Sequence, residues 1–313
     1  MLEDACMRAS IPFLTSTGGK GALREDQLIT FGTVQRKSVM KDILASADVV
    51  IALGTRLREM DSKRRGLKIS ELIHIDVDAR WMDRNYPARL KMAGNIGPST
   101  KALCQILTKK RSMWDLPALK ELQRKEEAEL RKTAPGFKII DLLRSVIPDD
   151  TLTVWDAILP AYWANNYFPV FHQRTFIAPT GCQTIFYAVP ASIGAKIGRP
   201  DRPCLCIAGD GSALPTLAEL ATVRKYAIPI VFLIYNNNSF GLLEETMEGR
   251  YAIKGSMELT NPDFVQLAHS FGIKASLAED LEQLRQIFLH DVKWNEPFLI
   301  EFKYPLVAPP WEI

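Results

Sequence analysis

The sequence has few of the side chains that build metal clusters or disulfide frameworks. Only 4 histidines and 5 cysteines occur among 313 residues, and no Cys-x-x-Cys or Cys/His grouping suggests zinc. The cysteines are scattered, so we expect buried thiols in a reducing compartment. No apolar run approaches the ~18 residues of a membrane span, and the first residues do not have the pattern of a signal peptide. We therefore expect a cytoplasmic protein without a membrane segment.

A strong charge of either sign is also lacking. The 39 basic and 36 acidic residues leave a net charge of +3, and no basic stripe is interleaved with aromatic residues. Nothing therefore favours a nucleic acid partner. Apolar residues make up 47% of the chain and charged residues 24%, which is typical of a globular protein. At this length, two domains are the natural expectation.

The most informative stretch is a strand, helix and strand predicted between residues 202 and 235. A short apolar run at 202–208 ends at Gly209-Asp210-Gly211-Ser212. Residues 214–226 carry apolar side chains at helical spacing, with Ser212 as a fair N-cap. A second buried strand at 228–235 ends at Asn236-Asn237-Asn238-Ser239. This length predicts a parallel crossover, so both polar clusters should lie at the carboxyl ends of strands, where open α/β sheets bind ligands.

The chemistry at those two strand ends is rich in oxygen. Asp210 offers a carboxylate, Asn237 an amide oxygen and Ser239 a backbone carbonyl. Three protein oxygens leave half an octahedron for phosphate oxygens and water, as is usual for Mg²⁺. Gly209 and Gly211 would let the backbone approach that phosphate. Each motif alone is compatible with an ordinary turn or loop, but their pairing across one crossover favours a site.

These residues resemble the GDG…NN motif of thiamine diphosphate (ThDP) enzymes, with acetolactate synthase, benzoylformate decarboxylase and pyruvate oxidase as the most similar members. The resemblance covers nearly the whole chain. It implies that Asp210, Asn237 and the Ser239 carbonyl hold Mg²⁺ against the diphosphate of the cofactor. We place Ser212 and Gly241 in the same cofactor-binding loops.

The first part of the chain is predicted to be a Rossmann-like parallel sheet. Strands are expected at 11–16, 48–54 and 71–78, and helices at 38–47 and 99–108. The segments 17–22, 47–56 and 74–78 resemble the central domain of the ThDP family, which binds FAD in some members. Gly54, Arg56 and Asp78 could touch such a ligand. We favour structural roles for all three: a chain turn, a solvated cation and a helix cap.

The resemblance also suggests the domain organisation. We expect a central Rossmann-like domain at 1–112, incomplete at its N-terminus, a charged linker helix at 113–137, and a ThDP diphosphate- and Mg²⁺-binding domain at 138–313. The fold class is α/β, with two parallel-sheet domains. We expect the pyrimidine-binding domain of the family to be absent from this chain, and with it the glutamate that activates the cofactor. No residue of this chain is therefore assigned a catalytic role, and we expect a partner chain or a homo-oligomer.

Two segments depart from the family pattern. In the loop expected beneath the thiazolium ring, Ile185 takes the place of the apolar wedge, but Phe186 and Ala188 replace glycines. Asp156 ends the strand at 151–156 and is a candidate cofactor contact. It is followed by Ile158 and Leu159, which have no side-chain donors for phosphate.

Two functions from different classes follow. The first is ThDP-dependent decarboxylation or carboligation of a 2-oxo acid, similar to acetolactate synthase and needing a pyrimidine domain from elsewhere. The second is a non-catalytic remnant that binds ThDP or a nucleotide and serves assembly or regulation. We also expect some members of an aromatic cluster near the cofactor loops to form an intermolecular contact, while the others pack inside the second domain. Its members are Tyr162, Trp163, Tyr167, Phe168, Phe171, Phe186 and Tyr187.

Overall fold

The computed structural model describes residues 1–35, 39–58, 62, 66–109, 111–252, 255, 257–305 and 309. The chain divides into two compact units, Met1–Thr133 and Ala134–Ile313. Within the described ranges, no helix is both long enough and apolar enough to span a bilayer.

The first unit contains five short strands that pair only in parallel. Strands β1 (Phe13–Thr15) and β2 (Thr30–Thr33) form one pair. A second sheet has the order β3 (Val50–Leu53), β4 (Leu72–Asp76) and β5 (Leu90–Ala93). The strands predicted at 11–16, 48–54 and 71–78 correspond to β1, β3 and β4, so the predicted Rossmann-like class is confirmed here.

The α-helices among the described residues of the first unit are α1 (Leu2–Ala9), α2 (Val39–Ser46), α3 (Ile96–Leu107) and α4 (Leu116–Thr133). The predicted helix at 38–47 is confirmed from residue 39 onward, whereas Ser38 lies outside the described residues. The apolar residues of β2 and α2 lie in one core, which includes Phe31 and Met40.

Helix α4 covers most of the segment expected to be a charged linker helix, and one of its faces packs against the first unit. Leu116 joins the same core as Phe31. The amide of the buried Gln123 donates a hydrogen bond to the Phe31 carbonyl at 3.2 Å, and the Lys120 ammonium donates to the Thr30 carbonyl. Glu126 accepts from the Val39 N–H at 3.4 Å, so charged as well as apolar residues of α4 take part in this contact.

The second unit is built on one six-stranded parallel sheet. Its strands are β6 (Leu152–Trp155), β7 (Phe176–Ile177), β8 (Cys204–Gly209), β9 (Val231–Tyr235), β10 (Lys274–Ala278) and β11 (Phe298–Phe302). They lie in the order β10-β11-β9-β8-β6-β7, and every neighbouring pair is parallel. Strands β8 and β9 are adjacent, with Gly209 opposite Tyr235. The loops after both strands therefore leave the sheet at the same edge.

The α-helices in the described part of the second unit are α5 (Gly136–Val146), α6 (Leu159–Tyr167), α7 (Ala188–Gly198), α8 (Asp210–Ala213), α9 (Leu220–Lys225), α10 (Gly241–Tyr251), α11 (Phe264–Ser270) and α12 (Leu281–Gln286), and a π-helix, Ile287–Asp291, follows α12. The helix predicted at 214–226 is correct in place but wrong in form. It begins at Asp210 as α8, continues as a 3-10 helix over Leu214–Glu219, and ends as α9.

The cysteines are mostly buried, as expected. Cys6, Cys104, Cys204 and Cys206 are buried, whereas Cys182 is exposed and departs from the prediction. Burial raises the pKa of Cys6 to about 11 and that of Cys204 to about 12. Because the thiolate is the reactive form, these two thiols are inert at neutral pH.

Candidate functional site

The loop after β8 is a tight turn that holds its own backbone. Gly209 is the N-cap residue of α8, and Ser212 lies within that helix rather than capping it as predicted. The Ser212 hydroxyl donates to the Gly209 carbonyl at 3.1 Å and accepts from the Gly209 N–H at 3.0 Å. This closed turn fixes the direction in which Asp210 leaves the strand.

The loop after β9 directs its asparagine side chains to different places. Asn236 is buried, and its Nδ2 donates to Glu301 Oε1 at 2.7 Å. Asn238 adopts a left-handed conformation with φ of 53°, and its N–H donates to Asn236 Oδ1 at 3.1 Å. Asn237 is exposed. The Ser239 hydroxyl donates to Glu244 Oε2 at 2.7 Å.

The two loops meet at Asn261, a residue that sequence reasoning missed. Its Nδ2 lies 2.8 Å from Asp210 Oδ2, 3.0 Å from Asn236 Oδ1 and 3.1 Å from Asn238 Oδ1. Three oxygens from two strand ends thus converge on one nitrogen. The structure therefore brings Asp210 together with the β9 loop, as the crossover predicted.

Burial governs the electrostatics of this cluster. It raises the pKa of Asp210, which is 3% exposed, while hydrogen bonds from the Gly211 N–H and Asn261 favour the charged carboxylate. The backbone N–H groups of Asn238 and Ser239 also act on this carboxylate and lower its pKa. A cation close to Asp210 would therefore strongly stabilise the ionised form of this buried carboxyl group.

The donor set fits a hard divalent cation. It contains one carboxylate and several neutral oxygens, which are the ligand types that Mg²⁺ prefers. Among the described residues, no group of three His, Cys, Asp or Glu side chains could hold a metal ion. A metal at this edge of the sheet would therefore depend on Asp210 for its charged ligand and on neutral oxygens or phosphate for the rest.

Asn237 and Gly241 are neighbours in the structure. A Cβ atom placed on Gly241 would lie 2.8 Å from Asn237 Nδ2. No real Cβ makes so short a contact, so glycine at position 241 leaves room for the Asn237 amide. The structure thus places Asn237 beside the start of α10, and its assignment as a metal ligand stays a prediction.

The space above the two glycines of the first loop is partly occupied. A Cβ on Gly211 would lie 2.5 Å from Phe240 Cε1 and 2.8 Å from Leu259 Cδ1, and one on Gly209 would lie 3.1 Å from Ile158 Cγ2. Close packing against these side chains therefore requires glycine at 211 even without a ligand. Whether these glycines also contact a phosphate stays a prediction.

Asp156 is fully buried at the end of β6. Its Oδ1 accepts from the Ala157 N–H at 3.0 Å, and its Oδ2 accepts from the Ala188 N–H at the start of α7 at 3.3 Å. Burial raises its pKa, which hydrogen bonds from these groups, the Tyr187 N–H and the Ser212 hydroxyl partly offset. The carboxylate therefore ties β6 to α7 and to the β8 loop, and its predicted contact with a cofactor is a separate proposal.

In the loop before α7, a phenylalanine adopts the left-handed backbone conformation that usually requires glycine. Phe186 has φ of 69° and is 41% exposed. Left-handed backbone is costly for a residue with a side chain. Ile185, the predicted wedge, is half-buried in the same loop. Ala188, the other glycine replacement, is buried as the first residue of α7.

The predicted aromatic contact surface is only partly available. Trp163, Tyr167 and Phe168 are buried inside the second unit. Phe137 packs against two of them, with ring centroids 5.4 Å from Trp163 and 4.7 Å from Tyr167. The burial of these three agrees with the expectation that part of the cluster packs inside the second domain, and the intermolecular contact stays a prediction. Phe186 is exposed, and Tyr162, Phe171 and Tyr187 are half-buried.

The residues singled out in the first unit have structural roles in this structure. Gly54 turns the chain after β3 with φ of 58°. Asp78 caps the 3-10 helix Ala79–Trp81 by accepting from the Arg80 N–H. Arg56 is exposed and stacks on Trp81, with its guanidinium carbon 4.3 Å from the ring centroid. These contacts account for all three residues without a bound nucleotide.

Comparison with known proteins agrees with this architecture. Residues 1–103 match the model of the thiamine pyrophosphate enzyme central domain, and residues 160–302 match that of the C-terminal TPP-binding domain. The chain therefore belongs to the thiamine diphosphate-dependent enzymes, and its two units correspond to their central and C-terminal domains.

Individual relatives place it among enzymes of two kinds. The chain is 32% identical over 286 residues to a probable 2-ketoarginine decarboxylase of Pseudomonas aeruginosa, covering 89% of this chain and 51% of the relative. It is 28% identical over 324 residues to a probable acetolactate synthase large subunit of Methanocaldococcus jannaschii, covering 96% and 55%. The chain thus spans about half the length of the curated relatives it matches.

Proposed function

We propose that the second unit binds the diphosphate of ThDP through Mg²⁺ and that the chain serves decarboxylation or carboligation of a 2-oxo acid. The observation that carries this proposal is the buried Asp210 carboxylate, which meets neutral oxygens where β8 and β9 end. The family match to a TPP-binding domain over residues 160–302 supports the same assignment. Bound ThDP would supply the chemistry that stabilises negative charge on the carbonyl carbon of the substrate.

The residues of this chain would hold and shape the cofactor. Asp210, the Asn237 amide oxygen and the Ser239 carbonyl are the proposed metal ligands. The turn Gly209-Asp210-Gly211-Ser212 and Gly241 would frame the diphosphate, and Ile185 would support the bent cofactor. Asp156 would act by fixing the start of α7 beside the β8 loop.

The names of the relatives guide the choice of substrate. One relative is named as a decarboxylase of 2-ketoarginine and others as acetolactate synthases. Pyruvate and 2-ketoarginine are therefore the first substrates to try. The two differ in charge, since 2-ketoarginine carries a guanidinium group. A preference for 2-ketoarginine would therefore indicate a carboxylate near the substrate.

We further propose that activity requires a pyrimidine-binding domain and its activating glutamate, supplied by a partner chain or by another part of a longer protein. The chain would act in an assembly of at least two copies or with that partner. Phe186 is the exposed member of the aromatic cluster and is the proposed contact residue.

A non-catalytic binding role is the second candidate. It is favoured by Ile158 and Leu159, which have no side-chain donors beside the β8 loop, and by the strained Phe186. A remnant of this kind would bind the cofactor but stay inactive when an active pyrimidine domain is added.

Binding is tested by the thermal unfolding midpoint with ThDP in Mg²⁺ and in EDTA. We expect ThDP to raise the midpoint only with Mg²⁺, since a ligand at 100 times its Kd stabilises by about 2.7 kcal/mol. Asp210→Ala should lose this shift entirely, Asn237→Ala should lose part of it, and the control Asp78→Ala should keep it. Equal shifts in wild type and Asp210→Ala would refute the metal assignment.

Catalysis is tested separately by CO₂ release from pyruvate and 2-ketoarginine. The chain alone should release none. Addition of a pyrimidine-binding domain from an acetolactate synthase large subunit should restore release if the chain is an enzyme component. Binding without restored turnover, by contrast, would support the non-catalytic role.

A further inference from the structure

Both oxygens of the Asp210 carboxylate already accept a hydrogen bond in this structure. The Oδ1 atom accepts from the Gly211 N–H at 2.9 Å, and the Oδ2 atom accepts from Asn261 Nδ2 at 2.8 Å. A cation that approaches Oδ2 therefore competes with the Asn261 amide for its lone pairs.

The two donors are held in different ways. The Gly211 N–H belongs to the backbone of α8. The β9 loop beside it is also fixed, by hydrogen bonds from the Leu259 N–H to the Asn238 carbonyl at 2.7 Å and from the Phe240 N–H to the Met257 carbonyl at 3.0 Å. Asn261 is the one donor that a side-chain rotation can remove.

The amide orientation of Asn261 is determined by its neighbours. Asn236 must direct Nδ2 at the Glu301 carboxylate, so its Oδ1 faces the Asn238 N–H and Asn261. Asp210 can only accept when ionised. Asn261 therefore presents nitrogen to all of them, and its two amide hydrogens are shared among three acceptors.

The oxygen of the Asn261 amide lacks the hydrogen bonds that its nitrogen makes. Asn261 Oδ1 is buried and has no hydrogen-bond partner among the described residues. Leaving a buried acceptor unpaired is costly. The side chain is therefore held at Asp210 by its nitrogen while its oxygen favours release toward solvent.

We propose that Asn261 competes with the divalent cation for the Asp210 carboxylate: its amide occupies the carboxylate in the metal-free chain and swings away when the metal binds. This inference rests on the proposed Mg²⁺ site. It makes Asn261 a positioning residue that keeps the two loops together without metal and lowers the apparent metal affinity, because binding must first break its hydrogen bonds.

The test is a Mn²⁺ titration in the presence of ThDP, followed by the electron paramagnetic resonance signal of free Mn²⁺. Asn261→Ala and Asn261→Ser should bind Mn²⁺ more tightly than wild type, on the order of tenfold, since each removes a hydrogen bond to a charged group. Both should also unfold at lower temperature than wild type in EDTA. The matched control is Asp263→Ala, which removes the N-cap of α11 in the same segment and should leave Mn²⁺ affinity unchanged.

The outcomes distinguish the proposed competition by Asn261 from the proposed Mg²⁺ site on which it rests. Unchanged or weaker Mn²⁺ binding in both Asn261 variants, with binding intact in wild type, would overturn the competition alone. Absence of Mn²⁺ binding in every variant and in wild type would overturn both proposals.

A measurement on the unmodified chain removes the dependence on variant folding. The side-chain amide protons of Asn261, observed by nuclear magnetic resonance, should exchange with water faster after Mg²⁺ and ThDP are added. Slower exchange in the loaded chain would mean that the amide stays in place, and would contradict the proposal.

Discussion

In both units an aspartate follows the end of a parallel strand, but the pKa of its carboxyl group is shifted in opposite directions in the two units. In the first unit, Asp78 follows β4 and pairs with Arg80 at 2.7 Å, which together with the Arg80 N–H holds its pKa at about 2. In the second unit, burial raises the pKa of both Asp156 and Asp210. Position after a strand therefore does not make a ligand site. Burial that raises the pKa is what distinguishes the Asp156 and Asp210 carboxylates from that of Asp78.

The largest expected effect is the loss of stability when the buried carboxylate of Asp156 is removed. Asp156→Ala should lower the free energy of unfolding of the second unit by about 3 kcal/mol, because two buried N–H groups lose a charged acceptor. Asp78→Ala should cost the first unit less, since it removes the cap of a short 3-10 helix and an ion pair at the surface. Urea unfolding followed by tryptophan fluorescence measures both. Equal effects of the two substitutions would break the comparison.

The second prediction compares Glu301, which lies within β11, with Glu296, which lies just before this strand. Glu301 is buried, accepts from Asn236 Nδ2 at 2.7 Å and lies 3.5 Å from the Lys303 ammonium, whereas Glu296 pairs with Lys274 nearer solvent. Glu301→Ala should cost about 2 kcal/mol by leaving the Asn236 amide unpaired, and Glu296→Ala should cost less than about 1 kcal/mol. The same urea experiment measures the difference. A larger loss for Glu296→Ala would show that the buried polar network contributes little.

The meeting of the two polar loops was predictable because β8 and β9 are consecutive, fully buried strands joined by a short crossover. Hydrophobic runs of that kind fix both the strand type and the edge at which the loops emerge. The Gly54 turn and the Asp78 cap were predictable for a similar reason, since each is a local consequence of residue type.

The role of Asn261 could not be predicted from the sequence in the same way. It reaches Asp210 across the intervening β9 and α10, and nothing local to residue 261 indicates that contact. Strands β5 and β10 also gave little signal: every residue of β5 is exposed, and β10 carries only one fully buried residue. Edge strands of this kind lack the apolar pattern on which sequence prediction depends.

The third prediction exchanges glycine between the two units. Phe186 and Gly54 both have left-handed backbone, with φ of 69° and 58°. Phe186→Gly should stabilise the second unit by about 0.5 kcal/mol, since relief of strain is partly offset by the entropy of glycine. Gly54→Ala should destabilise the first unit by about 1 kcal/mol, because alanine is unfavourable in left-handed backbone. The loss should be no larger, since the added Cβ would make only ordinary contacts with Ile96. Urea midpoints that shift in the same direction would contradict this account of the loop.

The smallest effect concerns pH and has opposite signs at Asp156 and Asp78. The pKa of Asp156 is raised above 3.8, so its contribution to stability is present below that pH and is lost as pH rises through the folded pKa. The pKa of Asp78 is lowered to about 2, so its contribution is present above 3.8 and is lost as pH falls toward 2. Carboxyl-carbon chemical shifts, assigned with Asp156→Asn and Asp78→Asn, should give titration midpoints on opposite sides of 3.8. A midpoint for Asp156 below that of Asp78 would show that the hydrogen bonds from Ala157 and Ala188 outweigh burial, and that a buried strand-end carboxylate needs no cation to remain charged.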